Sequence, residues 1–267
     1  MLSGNTLIFD IETVPDTEVG ARIYDLGDLS EKDCAKAMKA KRIEKTGHTD
    51  FLPHHLHKIV AISVVLRSAN EFRIWSIGDE QSSEKELLIR FFQGIEKFDP
   101  ILVSWNGAGF DLPVIHYRSL LHLIPASMYW DVGDNDRNFR YNNFISRFHW
   151  RHIDLMDVLS GFQYRAAAPL HEVALMIGLP GKVGMKGSDV WGAYLKGAIS
   201  AIRNYCETDV LNTYIIYLRF EQIRGNITEE ELLSEFERIK TKIDGGGFEH
   251  LKEFVEYCGR GGAKARE

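Results

Sequence analysis

Two acidic residues stand two positions apart at the end of an apolar run, Thr6 to Glu12 (TLIFDIE). In a β-strand, side chains at positions i and i+2 project from the same face, so the carboxylates of Asp10 and Glu12 would point the same way. Neighbouring like charges repel each other, and a cation between them removes that cost. The pattern predicts a divalent-cation site, and a solvated acidic strand end is the alternative interpretation.

A third acid, Asp111, closes the stretch WNGAGFD (105–111), which follows the apolar run ILVSW (101–105). Loops that follow strands in α/β sheets are common ligand sites, and glycines let the backbone approach a bulky group closely. A role as N-cap of the next helix would also explain Asp111. That role does not require Asn106 or Phe110, so a ligand-binding loop is the favoured interpretation.

A fourth acid lies in a long helix predicted over about residues 200–222. Tyr205 and Asp209 are four residues apart and therefore share one helical face. The same face continues to Ile202 and Leu218, so we expect it to pack inward. A solvated tyrosine–acid pair is the alternative, and by itself this motif is weak.

The order and spacing of these three motifs resemble the DEDD superfamily of 3′–5′ exonucleases. FDIET (9–13) resembles the first motif, and SWNGAGFDLPVI (104–115) resembles the second, of the form N-x-x-x-F-D. YCETDVLNTY (205–214) resembles the third motif in its tyrosine form, Y-x-x-x-D. Asn204, not histidine, stands five residues before Asp209, so the histidine form does not fit. The residues of the second motif are most similar to those of the exonuclease domain of family B DNA polymerases. The chain resembles the bacterial predicted 3′–5′ exonucleases related to that domain.

The resemblance covers roughly residues 6–222 and implies a set of functional residues. Hard divalent cations prefer carboxylate oxygens, which agrees with a site for two Mg²⁺ or Mn²⁺ ions. A free phenol has a pKa of about 10, so Tyr205 is expected to position the attacking water and not to act as a strong base. The implied metal ligands are Asp10, Glu12, Asp111 and Asp209, and the implied substrate-binding residues are Thr13, Asn106 and Phe110.

The expected activity is hydrolysis of phosphodiesters at the 3′ ends of single-stranded or frayed nucleic acid, with release of nucleoside 5′-monophosphates. DNA is the favoured polymer. One alternative is an exoribonuclease that trims RNA 3′ ends, because no sequence feature recognisably reads a 2′-hydroxyl. A second alternative is a noncatalytic nucleic-acid-binding module, against which the presence of all five motif residues weighs.

The elements that must position these residues form an α/β pattern. Strands are predicted at 6–12 and 101–105, and 57–67 with 71–78 reads as a hairpin. The resemblance implies a ribonuclease-H-like mixed five-stranded sheet flanked by helices. Residues 1–222 are predicted to form the exonuclease domain, with a helical insertion at about 13–57. Residues 223–267 are predicted to form a C-terminal helical extension and tail.

The composition limits the class of protein and its expected cellular location. The chain has 267 residues, a formal net charge of −6 and three cysteines, and its N-terminus leads directly into a strand pattern. We expect a cytoplasmic protein with no signal peptide, no membrane association and no disulfide framework. The negative charge argues against nonspecific coating of nucleic acid but does not exclude a nuclease, because a cation-binding cleft is itself acidic.

Other polar groups have simpler interpretations. Asp154, near Asp157, is predicted to cap a helix instead of binding a metal. The stretch HHLH (54–57) fits no common zinc spacing and is predicted to be a loop that enters a strand. Two basic groups could attract phosphates, although solvated faces are the more common explanation. They are Lys36, Lys39, Lys41, Arg42 and Lys45 in the insertion, and Lys182 and Lys186 in a glycine-rich loop.

Overall fold

The computed structural model describes residues 4–69, 71–181 and 184–259. Its strands are β1 (Thr6–Pro15), β2 (His57–Arg67), β3 (Phe72–Ser76), β4 (Ile101–Ser104) and β5 (His152–Asp154). Its α-helices are α1 (Thr17–Tyr24), α2 (Glu31–Thr46), α3 (Glu84–Phe98), α4 (Asp111–His122), α5 (Ser127–Trp130), α6 (Leu155–Leu159), α7 (Leu170–Met176), α8 (Val190–Leu195), α9 (Ile199–Ile223), α10 (Glu229–Asp244) and α11 (Lys252–Gly259).

Within the described residues, five strands form one mixed sheet in the order β3-β2-β1-β4-β5. Strand β2 is antiparallel to both of its neighbours, whereas β1, β4 and β5 run parallel to one another. This arrangement confirms the predicted mixed five-stranded sheet of the ribonuclease-H-like class. The parallel strands end at a common edge, so the loops that follow them meet there.

Helices cover both faces of the sheet, which explains why β1 is almost continuously apolar. Leu7, Phe9 and Ile11 pack into a core with α3 and α4. Ile8 points to the opposite face, into a core dominated by α9. Because side chains alternate along a strand, the even-numbered Asp10 and Glu12 project on the α9 side.

Helix α9 is buried around its whole circumference over its central part. Every residue from Tyr205 to Leu218 is buried, although only one inward face was expected. The sheet covers one side of α9, and Phe236 of α10 and Phe254 of α11 belong to the same core. A buried ion pair between Arg67 and Glu235 further joins α10 to β2. A domain boundary after residue 222 therefore stays a prediction.

The predicted helical insertion consists of α1, α2 and the segment that returns to β2. Ser30 accepts a hydrogen bond from the backbone N–H of Asp33 and so caps α2 as the sequence predicts. Gly20 allows α1 to lie close to α2, because a Cβ there would stand 2.3 Å from the sulfur of Met38. Among the described residues, no helix combines the length and apolar character that a membrane span requires.

Candidate active site

The first two acids lie on the buried central strand. Asp10 is half-buried and Glu12 is 8% exposed, and both project on the side of α9. The pairing of β1 with β2 shifts register between Glu12 and Thr13. An irregularity of this kind re-aims side chains locally and often occurs next to an active site.

Asp111 approaches the same strand from α4. Its Oδ1 accepts a hydrogen bond of 3.1 Å from the backbone N–H of Ile11, the residue between Asp10 and Glu12. Phe110 occupies the N-cap position of α4, so the interpretation of Asp111 as an N-cap is wrong. The aspartate is the first helical residue, and its carboxylate is directed at β1.

Asp154 holds the loop that carries Asp111. Its carboxylate caps α6, as predicted, by accepting hydrogen bonds from the backbone N–H groups of Met156 and Asp157. It also accepts bonds of 2.9 Å from the N–H groups of Asn106 and Ala108. One buried carboxylate therefore organises both the start of α6 and the loop before Asp111.

Asn106 has a structural part in that loop. Its φ of 61° lies in the left-handed region, where asparagine is tolerated better than most residues. Its Oδ1 lies so close to Gly109 that a Cβ there would stand 2.4 Å away. Asn106 and Gly109 border a cavity of about 540 Å³ that Thr13 and Phe110 do not line. Asn106 therefore lines a different cavity from the other two residues expected to bind substrate.

Helix α9 places the third motif on the face of the sheet to which Asp10 and Glu12 project. The hydroxyl of Tyr205 is hydrogen-bonded to the carboxylate of Asp209, which is 4% exposed. One residue further along the chain, the Cys206 thiol lies 3.4 Å from both the carbonyl oxygen and Oδ2 of Asp10. The thiol is the only donor in these contacts, so Cys206 orients the Asp10 carboxylate.

The four carboxylates interact strongly with one another. Burial raises the pKa of Asp10 well above its ordinary value, and the charges of Asp111, Glu12 and Asp209 raise it further. Burial also raises the pKa of Asp111 to about 7, partly offset by the hydrogen bond from Ile11 and reinforced by the charges of Asp154 and Asp209. Acids from three distant stretches therefore lie close enough for their charges to influence the pKa of Asp10.

The donor set suits a hard divalent cation. Ligand atoms of Asp10, Glu12 and Cys206 all lie within 4.8 Å of one another. Burial and the charges of Asp10 and Glu12 raise the pKa of the Cys206 thiol, and sulfur is a soft ligand that Mg²⁺ and Mn²⁺ do not favour. The oxygen donors remain, and carboxylate oxygens are the ligands that Mg²⁺ and Mn²⁺ prefer.

Thr13 and Phe110 line a cavity of about 500 Å³ next to the carboxylates, together with Glu12. The predicted insertion supplies part of its wall, including Lys39, which is paired with Asp50 at 3.3 Å. A cavity of this size can accommodate a nucleotide-sized ligand. The insertion therefore shapes this cavity.

Aromatic rings from the insertion surround Phe110. The ring centroids of Phe51, His54 and His57 lie 5.6, 5.7 and 5.2 Å from that of Phe110. His54–Leu56 forms a short 3₁₀ turn that leads into β2, so the prediction of a loop entering a strand is confirmed. These histidines contact carbonyl groups and aromatic rings, which is not the arrangement of a zinc site.

Sequence reasoning missed two residues of this region. Cys206 was counted only as a free thiol, although its place between Tyr205 and Asp209 signals that it lies near the site. His57 was set aside with its neighbours, and nothing local reveals its bond to Thr13. Of the basic groups, Lys39 reaches the cavity wall, Lys186 is exposed, and Lys182 lies outside the described residues.

Comparison with known families identifies the chain. Residues 49–258 match the model of a family described as "Predicted 3'-5' exonuclease related to the exonuclease domain of PolB". The chain belongs to this family. The match includes Asp111, Tyr205 and Asp209 and extends to residue 258, beyond the expected end of the resemblance at 222. It begins after the first acidic motif, so the placement of Asp10 and Glu12 in the site rests on the geometry.

Two polymerases are similar to parts of this chain. DNA polymerase 1 of Sulfurisphaera ohwakuensis is 38% identical over 58 residues, which are 21% of this chain and 6% of the polymerase. The structure of the family B DNA polymerase from the archaeon Pyrobaculum calidifontis aligns with 79% of this chain and 24% of its own, at 17% identity and a TM-score of 0.49. The chain thus spans a quarter or less of each polymerase.

Proposed function

We propose that this protein is a metal-dependent 3′–5′ exonuclease that releases nucleoside 5′-monophosphates from single-stranded or frayed 3′ ends. One observation carries the proposal. Burial and the charges of Asp111, Glu12 and Asp209 raise the pKa of Asp10, and burial and the charge of Asp209 raise that of Asp111, so acids from β1, α4 and α9 act on one another. A folded protein keeps such a cluster at a cost, and bound cations would offset that cost.

Asp10, Glu12, Asp111 and Asp209 would hold two Mg²⁺ or Mn²⁺ ions. When bound, the two ions supply positive charge to the attacking water and to the departing 3′-oxygen of an in-line displacement. The chain's own part is to place the carboxylates. The Ile11 N–H orients Asp111, and the Cys206 thiol orients Asp10.

Tyr205 would orient the attacking water. Burial and the charges of Asp209, Glu12 and Asp10 raise the pKa of its phenol, so the hydroxyl keeps its proton. A protonated phenol cannot serve as general base, but it can hold a water by a hydrogen bond. In the reaction the water oxygen bonds to phosphorus, the bond from phosphorus to the 3′-oxygen breaks, and the penultimate nucleotide is left with a 3′-hydroxyl.

Thr13 and Phe110 would receive the terminal nucleotide in the cavity beside Glu12. Phe110 offers an aromatic face, and stacking of a base on such a face tolerates any sequence. Asn106 would act mainly through the shape of its loop. DNA is the favoured polymer, and the exonuclease unit would comprise residues 1–222 followed by a helical extension. The free cysteines Cys34, Cys206 and Cys258 support a reducing, cytoplasmic setting.

Purified protein with Mn²⁺ or Mg²⁺ tests this proposal on 5′-labelled single-stranded DNA and RNA of matched sequence. We expect stepwise shortening from the 3′ end of DNA, its loss on chelation, and its loss in Asp209→Ala. Release from RNA alone would favour the exoribonuclease alternative. Binding of either polymer without any release would favour the noncatalytic alternative and would overturn the proposal.

A further inference from the structure

The hydroxyl of Thr13, a residue that lines the cavity, is hydrogen-bonded to a buried histidine. Its Oγ1 lies 2.8 Å from Nδ1 of His57, a residue 44 positions away. Between two such groups either atom could in principle donate the proton. The direction of the bond decides whether Thr13 offers a bound nucleotide a donor or only an acceptor.

The other nitrogen of His57 determines that direction. Nε2 lies 3.1 Å from the carbonyl oxygen of Leu52, and a carbonyl can only accept. Nε2 therefore carries a proton. Burial lowers the pKa of His57 to about 4, which keeps the ring neutral at physiological pH. In a neutral imidazole with a proton on Nε2, Nδ1 is an acceptor, so the Thr13 hydroxyl must donate to it.

Packing holds the ring in this orientation. His57 is 8% exposed, and its centroid lies 5.2 Å from those of both Phe51 and Phe110. Thr13 lines the cavity, and because its only hydroxyl proton is directed at His57, its oxygen can act toward a ligand there only as an acceptor. A ligand group that meets this oxygen must therefore bring a proton of its own.

We propose that His57 is a specificity-determining positioning residue that makes Thr13 an obligate acceptor and so selects nucleic-acid ends whose 3′ group donates a hydrogen bond. A free 3′-hydroxyl meets this requirement, whereas a terminus with only acceptors places lone pairs against lone pairs. This inference rests on the proposed exonuclease function. It adds the means by which the protein recognises the chemistry of the terminus.

The test compares oligonucleotides that end in a 3′-hydroxyl or a 3′-fluoro group, because fluorine is similar in size but cannot donate. For the full-length protein with Mn²⁺, we expect kcat/KM to be about tenfold higher for the 3′-hydroxyl substrate, from one lost hydrogen bond and one unsatisfied acceptor. A 3′-amino terminus, which donates, should behave like the hydroxyl. The ratio of kcat/KM for the 3′-hydroxyl and 3′-fluoro substrates is measured within one protein, so any difference in the folded fraction cancels.

The deciding variant is His57→Phe, which keeps a ring against Phe110 but removes the acceptor for Thr13. Its hydroxyl can then turn, and we expect the substrate ratio to fall to about threefold or less. Thr13→Ser should retain the ratio and Thr13→Val should lose it. His54→Phe also alters a ring next to Phe110 but does not contact Thr13, so it should retain the ratio.

A ratio near one in the unmodified protein, or a ratio that stays tenfold in His57→Phe, would overturn the inference and leave the exonuclease proposal standing. Absence of cleavage of any substrate by the unmodified protein would instead overturn the exonuclease proposal. In that event, equilibrium binding of the same oligonucleotides tests the inference by the same ratio.

Discussion

Two groups of buried acids lie close to β1, and they are stabilised in opposite ways. The carboxylate site gathers Asp10, Glu12, Asp111 and Asp209, whose mutual charges raise the pKa of Asp10. The second group, which we call the Arg118 cluster, consists of Asp16 at the start of α1, Glu84 of α3 and Arg118 of α4. Helix α4 contributes to both groups, with Asp111 at its start and Arg118 two turns later.

The Arg118 cluster contains its own cation. Arg118 donates two bonds to Glu84, at 2.8 and 2.6 Å, and a third to Asp16. Glu84 also accepts a bond from the backbone N–H of Ile59. Burial by itself would lower the pKa of Arg118, but the bonds and charges of Glu84 and Asp16 raise it.

The two groups differ in the charges that surround their acids. A buried charge is tolerated when an opposite charge and hydrogen bonds satisfy it, as in the Arg118 cluster. In the carboxylate site, the shifts of Asp10 and Asp111 are dominated by burial and like charges. Such shifts are frequent at functional sites, which supports the proposal that an external cation binds here.

The largest expected effect is on activity. Asp209→Asn should lower kcat/KM on a single-stranded 3′ end by about 1000-fold or more, since it removes several kcal/mol of metal-dependent stabilisation. The same substitution should leave the free energy of unfolding of the metal-free protein unchanged or higher, because it removes a like charge. Single-turnover kinetics and urea unfolding measure the two quantities. The control Asp134→Asn, at an exposed site, should change neither quantity. An Asp209→Asn protein that keeps its activity would contradict the distinction between the carboxylate site and the Arg118 cluster.

The next effect is on stability. Arg118→Met should lower the free energy of unfolding by about 3–5 kcal/mol, because it leaves buried Asp16 and Glu84 without their cation. The folded fraction should keep its kcat/KM, as Arg118 lies outside the carboxylate site. Arg22→Met, which removes an exposed pair with Glu18, should cost less than about 1 kcal/mol. If urea unfolding showed the same loss of free energy of unfolding for both variants, Arg118 would not be the cation that stabilises buried Asp16 and Glu84.

A smaller effect follows from cation binding to the folded state. Mn²⁺ at about 100 times its dissociation constant should stabilise the protein by roughly 2.7 kcal/mol, measured as a shift of thermal unfolding. Asp111→Asn should abolish most of that shift, whereas Glu84→Gln should retain it. A shift of equal size in the unmodified protein and Asp111→Asn would place the cation elsewhere.

The last effect is the pH dependence of the metal-free protein. The pKa of Asp111 in the folded state is about 7, above the ordinary value of about 3.9, so between these values the folded state holds a proton that the unfolded chain has lost. The contribution of this group to stability is therefore complete below about pH 4 and is lost as the pH rises through 7. We expect a decline of up to about 1.4 kcal/mol per pH unit in that window.

Urea unfolding of the unmodified protein and Asp111→Asn between pH 5 and 8, with metal removed, measures this contribution as the difference between them. Saturating Mn²⁺ should reduce the decline, since a bound cation displaces the proton. A difference that stays constant across the window would show that Asp111 does not titrate there.

Local sequence patterns predicted most of the fold. The apolar run before Asp10 predicted β1, and the spacing of apolar residues predicted α9 to within one residue at each end. The serine at position 30 predicted the start of α2 through its cap. These features depend on neighbours within one strand or one helical turn, where periodicity and capping act directly.

The burial of the central part of α9 around its whole circumference could not be predicted from local patterns. Its outer side is covered by α10 and α11, and no local pattern reveals which helix will cover another. Similarly, Asp154 was correctly predicted to cap α6, but its bonds to Asn106 and Ala108 join two strand ends that are separated by 46 residues or more. Contacts of this kind follow from the order of strands in the sheet.

The sequence alone predicted which residues would carry the chemistry, because the three acidic motifs are recognisable by residue type and spacing. Only the tertiary structure decided how those residues are held. The bond from Ile11 to Asp111 spans 100 residues, that from Cys206 to Asp10 spans 196, and the Thr13–His57 bond spans 44. Hydrogen-bond direction and electrostatic repulsion depend on distances between atoms, and folding sets those distances between segments that the linear order keeps apart.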